Sequence, residues 1–293
     1  MIDLHAHTTV SDGGDEPAAL VGKAASAGLA AIAVTDHDND SGCDEAVAAG
    51  HEIGLEVVRG VEISCDVEDL DARGYSPSAR PTMHLLGYFI PEGSNPVSDA
   101  LAELQQHRAN RNRIIVDRLN ELGIDITFEE VESEAGGPGS QIGRPHFAAV
   151  MVRHGAVPDY QTAFDVYLAK GAQAYVGRKL YRPVEAVQLM TEANVVPVLA
   201  HPFTLNLEGD ELERFVDDLA GVGLRGIEGY HGDWTIEDQA PLRDLGKRKG
   251  LVVSGGSDYH GAMRPDRVLP GGKHGVLVPP EVLDDLKALT PAH

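Results

Sequence analysis

Met1-Ile-Asp-Leu-His5-Ala-His7-Thr-Thr-Val-Ser-Asp12 begins the sequence: a short apolar run ending in two histidines one residue apart, with an aspartate shortly after. On extended backbone, residues i and i+2 point to the same side, so these two imidazoles can chelate one ion. The pattern recurs. Thr35-Asp36-His37-Asp38 closes the apolar run Ala31–Thr35, and Gly60-Val-Glu62-Ile-Ser64 closes Glu56–Ile63. Ala200-His201-Pro202 follows Val195–Leu199, and Gly256-Ser-Asp258-Tyr-His260 follows Leu251–Ser254, whereas His84 begins Met83–Phe89. Gly226–Glu228 and Gly275–Val278 are further candidate strands. Ala-rich or amphipathic stretches at Glu16–Ala27, Asp44–Gly54, Pro183–Ala193, Asp210–Val222 and Ile236–Lys249 separate them and are predicted helices. This β-α-β alternation predicts a parallel sheet buried on both faces. Chemistry-bearing residues gathered at C-terminal strand ends are the arrangement of α/β barrel enzymes.

The character changes after Asn95-Pro96. Residues 100–182 read as helix-rich, with a long amphipathic stretch Leu101–Gly123 and a flexible Gly-rich loop Glu134–Gly139. The expected organisation is therefore a barrel in two parts, 1–98 and 183–293, interrupted by a helical insertion over 99–182 that acts as a substrate-binding cap. Residues 100–182 carry equal numbers of basic and acidic residues, so the formal net charge of −22 belongs wholly to the rest of the chain. A neutral, arginine-bearing insert on an acidic barrel is where anion contacts are expected. So acidic a surface repels nucleic acid phosphates, which argues against capture of duplex DNA.

With 293 residues, 42% hydrophobic and 24% charged, the composition excludes collagen-like and disordered classes. No apolar run approaches the ~18–20 residues of a membrane helix, so no membrane partner is expected. Cys43 and Cys65 are too few for a disulfide framework and read as partly buried thiols. No basic residue precedes Lys23, and a cytoplasmic protein is expected.

One buried histidine is usually a hydrogen-bonded core residue. Six of thirteen at strand ends, accompanied by Asp12, Glu62 and Asp258, point instead to bound metal. Nitrogen and oxygen ligands without thiolate suit Mn²⁺, with Zn²⁺ or Fe²⁺ as alternatives. Nine ligands exceed the needs of one or two ions once positions are left open for water and substrate.

These motifs, in this order along nearly the whole chain, resemble those of the PHP (polymerase and histidinol phosphatase) family of the amidohydrolase superfamily. The resemblance implies a distorted (β/α)7 barrel holding three divalent ions. It implies His5, His7, Glu62 and Asp258 on the first, Glu62 bridging to a second with His84 and His201, and Asp12, His37 and His260 on the third. Some members have His where this chain has Asp12, which still supplies a ligand. Gly143-Arg144-Pro-His146-Phe-Ala and Tyr167-Leu-Ala-Lys170-Gly-Ala-Gln-Ala-Tyr175-Val resemble small stand-alone bacterial members. That branch implies removal of the 3′-phosphate from nucleoside 3′,5′-bisphosphates and related attack on RNA 5′ ends.

A hydroxide between the first two metals is the expected nucleophile, with no Ser or Cys required. Arg108, Arg144, His146, Lys170 and Arg178 are the expected holders of the substrate's second phosphate and base. His231, in Gly229-Tyr-His-Gly-Asp233, is a candidate proton donor or substrate contact, and Asp36 a candidate proton donor or orienter, joining Glu62 as catalytic candidates. Trp234 is read as packing or as a base-stacking surface. His51, His107, His154, His274 and His293 fall outside the motifs and are read as structural or surface residues. The expected substrate is a small nucleotide bisphosphate. A 5′→3′ exoribonuclease acting on short RNA is the alternative, and histidinol phosphate hydrolysis a further one. A non-catalytic metal-dependent binding module predicts missing ligands, yet all nine positions are filled. No obligate protein partner is evident.

Overall fold

Among the residues described by the computed structural model (1–68, 70–137 and 140–290), seven strands pair in chain order into one sheet. They are β1 (Ile2–Asp3), β2 (Ala31–Val34), β3 (Glu56–Ser64), β4 (His84–Tyr88), β5 (Val196–Leu199), β6 (Gly226–His231) and β7 (Val252–Gly256). Leu4 N–H donates to Gly255 O at 3.2 Å, so the first strand lies beside the last and the sheet curls into a distorted barrel. Helices alternate with the strands: α1 (Pro17–Ser26), α2 (Cys43–Ile53), then, after the insertion, α7 (Pro183–Glu192), α8 (Gly209–Ala220), α9 (Ala240–Lys249) and α10 (Glu281–Lys287). Pro17 starts α1 at the position where a missing N–H costs nothing, and Gly54, at φ 75°, ends α2 in the left-handed region. β2 and β5 are buried along their whole length, as strands covered on both faces must be.

One strand departs from the expected parallel order. β1, β2 and β3 run parallel, as do β5, β6 and β7, but β4 is antiparallel to both of its neighbours. The cause lies in the connection before it. A parallel return needs a crossover, usually a helix, whereas β3 and β4 are joined by a loop whose described residues hold only the 3-10 turn Asp71–Arg73. Reversal puts the N-terminal end of β4 beside the C-terminal ends of its neighbours, Ser64 facing His84. That is why His84 opens its strand while the other site residues close theirs. Gly275–Val278 forms no strand, Val278 making a single antiparallel bridge to Ile2.

The chain divides into two compact units, Met1–Leu101 with Leu180–His293, and Ala102–Lys179. The division falls within α3 (Pro96–Glu121), which begins earlier than its apolar periodicity predicts. Asn95 Oδ1 accepts the N–H groups of Val97 and Ser98, both at 3.0 Å, and Pro96 takes the first helical position. The Asn-Pro pair is thus a helix start rather than a break.

The second unit adds α4 (Phe128–Glu134), α5 (Arg144–Arg153), and α6 (Tyr160–Ala163) running into a π turn, Phe164–Leu168. Thr127 and Glu130 cap α4 reciprocally. Leu119, Ile126, Val131, Phe147, Met151 and Leu168 form its buried centre. Pro138 and Gly139 of the Gly-rich stretch, and His293, lie outside the described residues. No helix among the described residues is long and apolar enough to cross a membrane.

Within the barrel, the buried Tyr88 hydroxyl donates to Leu4 O at 2.9 Å and sits 3.2 Å from Ser254 Oγ, tying β4 to β1 and β7. Closure leaves no room at Gly256, where a Cβ would stand 2.4 Å from His5 N and 2.5 Å from His5 Cβ. Gly256→Ala is therefore expected to cost roughly 1–3 kcal/mol or more, as overpacking against backbone does. A calorimetric melting temperature equal to wild type would contradict this account of the closure.

Candidate metal centre

The site is built where the strands of the first unit end. Past β1, Ala6 bridges Tyr259, and the extended backbone turns His5 and His7 inward, both fully buried. The loop that follows carries Asp12 and is held from β2's end. Asp36 accepts from Thr8 N at 2.8 Å, Thr8 Oγ1 at 2.7 Å and Ser11 Oγ at 2.5 Å. His37 bridges Glu62, and the neighbouring Asp38 accepts Ser64 N at 2.8 Å. His201 and Asp258 both stand at positive φ, 27° and 52°, strained backbone of the kind that clusters at functional sites.

Glu62 is the centre of the arrangement. Its Oε2 lies 3.3 Å from His5 Nε2, 3.2 Å from His7 Nε2 and 3.1 Å from His37 Nδ1. Its Oε1 lies 2.7 Å from His84 Nδ1 and 2.8 Å from His201 Nε2. Asp258 Oδ1 completes the first side, 3.5 Å from His5 Nε2 and 3.2 Å from His7 Nε2. Asp12 Oδ1 faces His260 Nε2 at 3.3 Å, and its Oδ2 faces His37 Nε2 at 3.9 Å. All nine expected ligands therefore converge.

The donor set fits divalent metal. Ligand atoms about 2.1 Å from a shared tetrahedral ion lie roughly 3.4 Å apart, close to the separations among His5, His7, Glu62 and Asp258. His5 Nε2, both ring nitrogens of His7 and His260 Nε2 are buried and make no hydrogen bond, a cost that an ion removes. Residues His7, Asp12, His37 and His260 form one group able to hold an ion, His5, His7 and Asp258 another, and His37, Glu62 and His84 a third. Asp12, His37 and His84 are the more accessible members, with side chains 47%, 19% and 22% exposed, so the cluster opens on their side.

Electrostatics follow from this crowding. Burial works to raise the Glu62 pKa, but the charges of His37, His84 and His5 hold it well below the carboxylate range. Asp258 is held low in the same way, chiefly by His5, His231 and His7. Burial drives His37 down to about 4 against the pull of Glu62, while His7, opposed by burial but lying 3.2 Å from the carboxylates of both Asp258 and Glu62, rises to about 10.

His231 closes β6 with its ring against His5 and His201. Its Nδ1 accepts the Asp233 N–H at 3.1 Å, and its Nε2 lies 3.5 Å from Asp258 Oδ2. Trp234 packs on His231 and Phe203. Two residues of this cluster escaped the sequence reading. Glu228 sits inside β6, fully buried, 3.0 Å from His5 Nδ1. Arg267 joins the carboxylates of Asp258 and Asp233 and donates to Asp258 O at 3.3 Å. An acid in an otherwise apolar strand, Gly226-Ile-Glu228-Gly, was the available signal for Glu228; Arg267 lies in a loop with no motif.

The substrate-binding candidates all lie in the second unit. Arg111, which the sequence reading passed over, is buried, donates to Val176 O, and is driven down to about 10 by burial and by the nearby charges of Arg144, Arg108 and Arg178. Those three expected arginines thus share one neighbourhood. Arg144 also donates to Leu168 O and lies over the Tyr175 ring. His146 Nδ1 accepts the Gly143 N–H at 3.0 Å, capping α5, and Lys170 is exposed beyond the π turn.

The PHP domain family matches residues 3–149. The 3′,5′-nucleoside bisphosphate phosphatase of Chromobacterium violaceum is 32% identical, over 88% of this chain and 87% of that protein. A 5′-3′ exoribonuclease of Haemophilus influenzae is 30% identical over 88% and 89%, respectively. A phosphoribosyl 1,2-cyclic phosphate 1,2-diphosphodiesterase of Eggerthella lenta is 32% identical over 88% and 94%. In structure, a Bifidobacterium adolescentis protein described as a metal-dependent phosphoesterase superposes with TM-score 0.76 at 28% identity, over 99% of this chain and 96% of the other.

Glu62→Gln removes the charge that both sides of the cluster share. Loss of metal-dependent activity by more than about 100-fold is expected, beyond what altering a ligand's hydrogen-bond partner does. Chelation of the wild-type protein is expected to lower its melting temperature, because an ion that binds only the folded state stabilises it. Neither result would survive if the cluster were a structural hydrogen-bond network; a melt indifferent to chelator and to added Mn²⁺ would show that.

Proposed function

The chain belongs to the PHP domain family, and from that footing we propose that it is a metal-dependent phosphoesterase removing the 3′-phosphate of nucleoside 3′,5′-bisphosphates. The observation that carries the reading is the carboxylate of Glu62, with imidazoles from different strands at each of its oxygens. When bound, Mn²⁺ or a similar ion acidifies water and neutralises charge on a phosphoryl group.

His5, His7, Glu62 and Asp258 would hold one ion, with Glu62 shared towards His84 and His201 for a second, and Asp12, His37 and His260 for a third. The remaining steps belong to the protein. Because His231 Nδ1 accepts a hydrogen bond from Asp233 N–H, the neutral ring carries its proton on Nε2, turned toward Asp258. His231 is thereby placed to donate a hydrogen bond from Nε2 to the departing 3′-oxygen as that oxygen takes up a proton from water. Asp36, with both oxygens engaged by Thr8 and Ser11, orients the loop bearing Asp12 and does not supply a proton.

A bisphosphate has a second dianionic group, and guanidinium groups bind such groups with two parallel hydrogen bonds. Arg108, Arg144 and Arg178, with Arg111 beside them, are the proposed recognition set, joined by His146 and Lys170. Relatives named a bisphosphate phosphatase and an exoribonuclease support hydrolysis of an ester at a 3′-oxygen. Short RNA is therefore the alternative substrate. The acidic barrel surface weighs against long polyanions and favours the small one.

The test is a steady-state panel with Mn²⁺: adenosine 3′,5′-bisphosphate, a 5′-phosphorylated RNA pentamer, phosphoribosyl 1,2-cyclic phosphate and histidinol phosphate. The bisphosphate is expected to give the highest kcat/KM, yielding 5′-AMP and phosphate; faster RNA shortening would replace this reading with an exoribonuclease. Arg144→Ala is expected to lower kcat/KM for the bisphosphate about 10- to 100-fold, the worth of a charged hydrogen bond. Its turnover of p-nitrophenyl phosphate, which lacks a second phosphate, is expected to change little. Equal losses on both substrates would overturn the assignment of Arg144.

A further inference from the structure

Glu228 is fully buried in the middle of β6, and its carboxylate touches two residues on opposite sides of the site. Oε1 lies 3.0 Å from His5 Nδ1. Oε2 accepts the backbone N–H of His201 at 2.7 Å, where the chain stands at φ 27°, ψ 65°. His5 Nε2 faces Oε2 of Glu62, whereas His201 Nε2 faces Oε1. A single carboxylate on a strand that contributes no expected ligand thus contacts one histidine from each side of Glu62.

We propose that Glu228 is a positioning residue that sets metal affinity, by fixing the tautomer of His5 and the backbone of His201 together; this rests on the metal-centre reading given above. Bonded to Glu228, the neutral His5 ring carries its proton on Nδ1 and keeps the Nε2 lone pair for the ion. The same carboxylate secures the strained peptide from which His201 projects.

Only an ionised carboxylate accepts at both ends and donates at neither. A glutamine of the same shape fails in either orientation. With its amide nitrogen toward His5, that ring must accept at Nδ1, so its proton moves to Nε2 and blocks the ligand atom. With its amide nitrogen toward His201, two donors confront each other at the strained peptide. The isosteric change therefore isolates the hydrogen-bond pattern from packing volume.

The experiment measures Mn²⁺ binding to chelator-stripped wild type, Glu228→Gln, Glu228→Asp and Glu62→Gln by calorimetry, with metal content after dialysis and apo-protein melting alongside. Glu228→Gln is expected to bind Mn²⁺ about 10- to 100-fold more weakly, the usual effect of removing a ligand's orienting partner. Its kcat on adenosine 3′,5′-bisphosphate is expected to recover at saturating Mn²⁺, since Glu228 touches no reacting atom. Glu228→Asp keeps the charge but is too short to reach both partners, and is expected to fall between; it carries the same test if Glu228→Gln does not fold. A Mn²⁺ affinity within twofold of wild type would overturn the proposal, as would a kcat defect that saturating metal does not relieve. If Glu62→Gln also binds Mn²⁺ normally, the metal-centre reading itself fails, a result distinct from failure of the Glu228 proposal alone.

Discussion

Everything at the barrel's open end is organised around one buried negative charge. Glu62, 1% exposed, has imidazole nitrogens within 3.3 Å of each oxygen, and its ion-pair partners among the described residues are all histidines. A lone carboxylate removed from water is costly, and several protonated imidazoles packed together repel one another. Rings of the cluster lie as close as 4.2 Å, centroid to centroid, for His7 and His260. Divalent cations resolve both problems, because they supply positive charge while leaving the histidines neutral and acting as ligands. The strain at His201 and Asp258 belongs to the same account, since backbone held at positive φ persists only where the surroundings fix it.

Much of this was legible because strand ends and metal ligands leave marks of the same kind. Alternating histidines, and acids following β-branched or aliphatic runs, identify both the barrel and its functional end. The reversal of β4 was less legible, since direction is a property of the connection and not of the strand's own residues. One trace of it existed in the position of His84 at the start of its apolar run. Similarly, Asn95-Pro96 reads as a boundary from composition, while its hydrogen bonds make it the cap of the longest helix.

The residues around the two clusters were the least visible. Glu228 and Arg111 meet partners far away in sequence, and Arg267 lies in a loop with no motif, so no local spacing announces them. Asp36 was visible through its motif, but its hydrogen bonds to Thr8 and Ser11, which hold the loop bearing Asp12, come from the fold. His231 needed its neighbour too: the Asp233 N–H decides which ring nitrogen carries the proton. The candidate ligands are thus written locally, whereas orientation and backbone strain depend on the fold.

The helical unit adds a different kind of chemistry. Its four neighbouring guanidinium groups repel one another strongly enough, with burial, to depress Arg111, and such a group is stabilised by an anion. The central claim, however, concerns Glu62. Anomalous diffraction from Mn²⁺-soaked crystals tests it most directly. The account requires manganese peaks on both sides of Glu62, one near His5, His7 and Asp258 and one near His84 and His201. Manganese confined to surface carboxylates, with the cluster retaining its hydrogen bonds to Glu62, would contradict it.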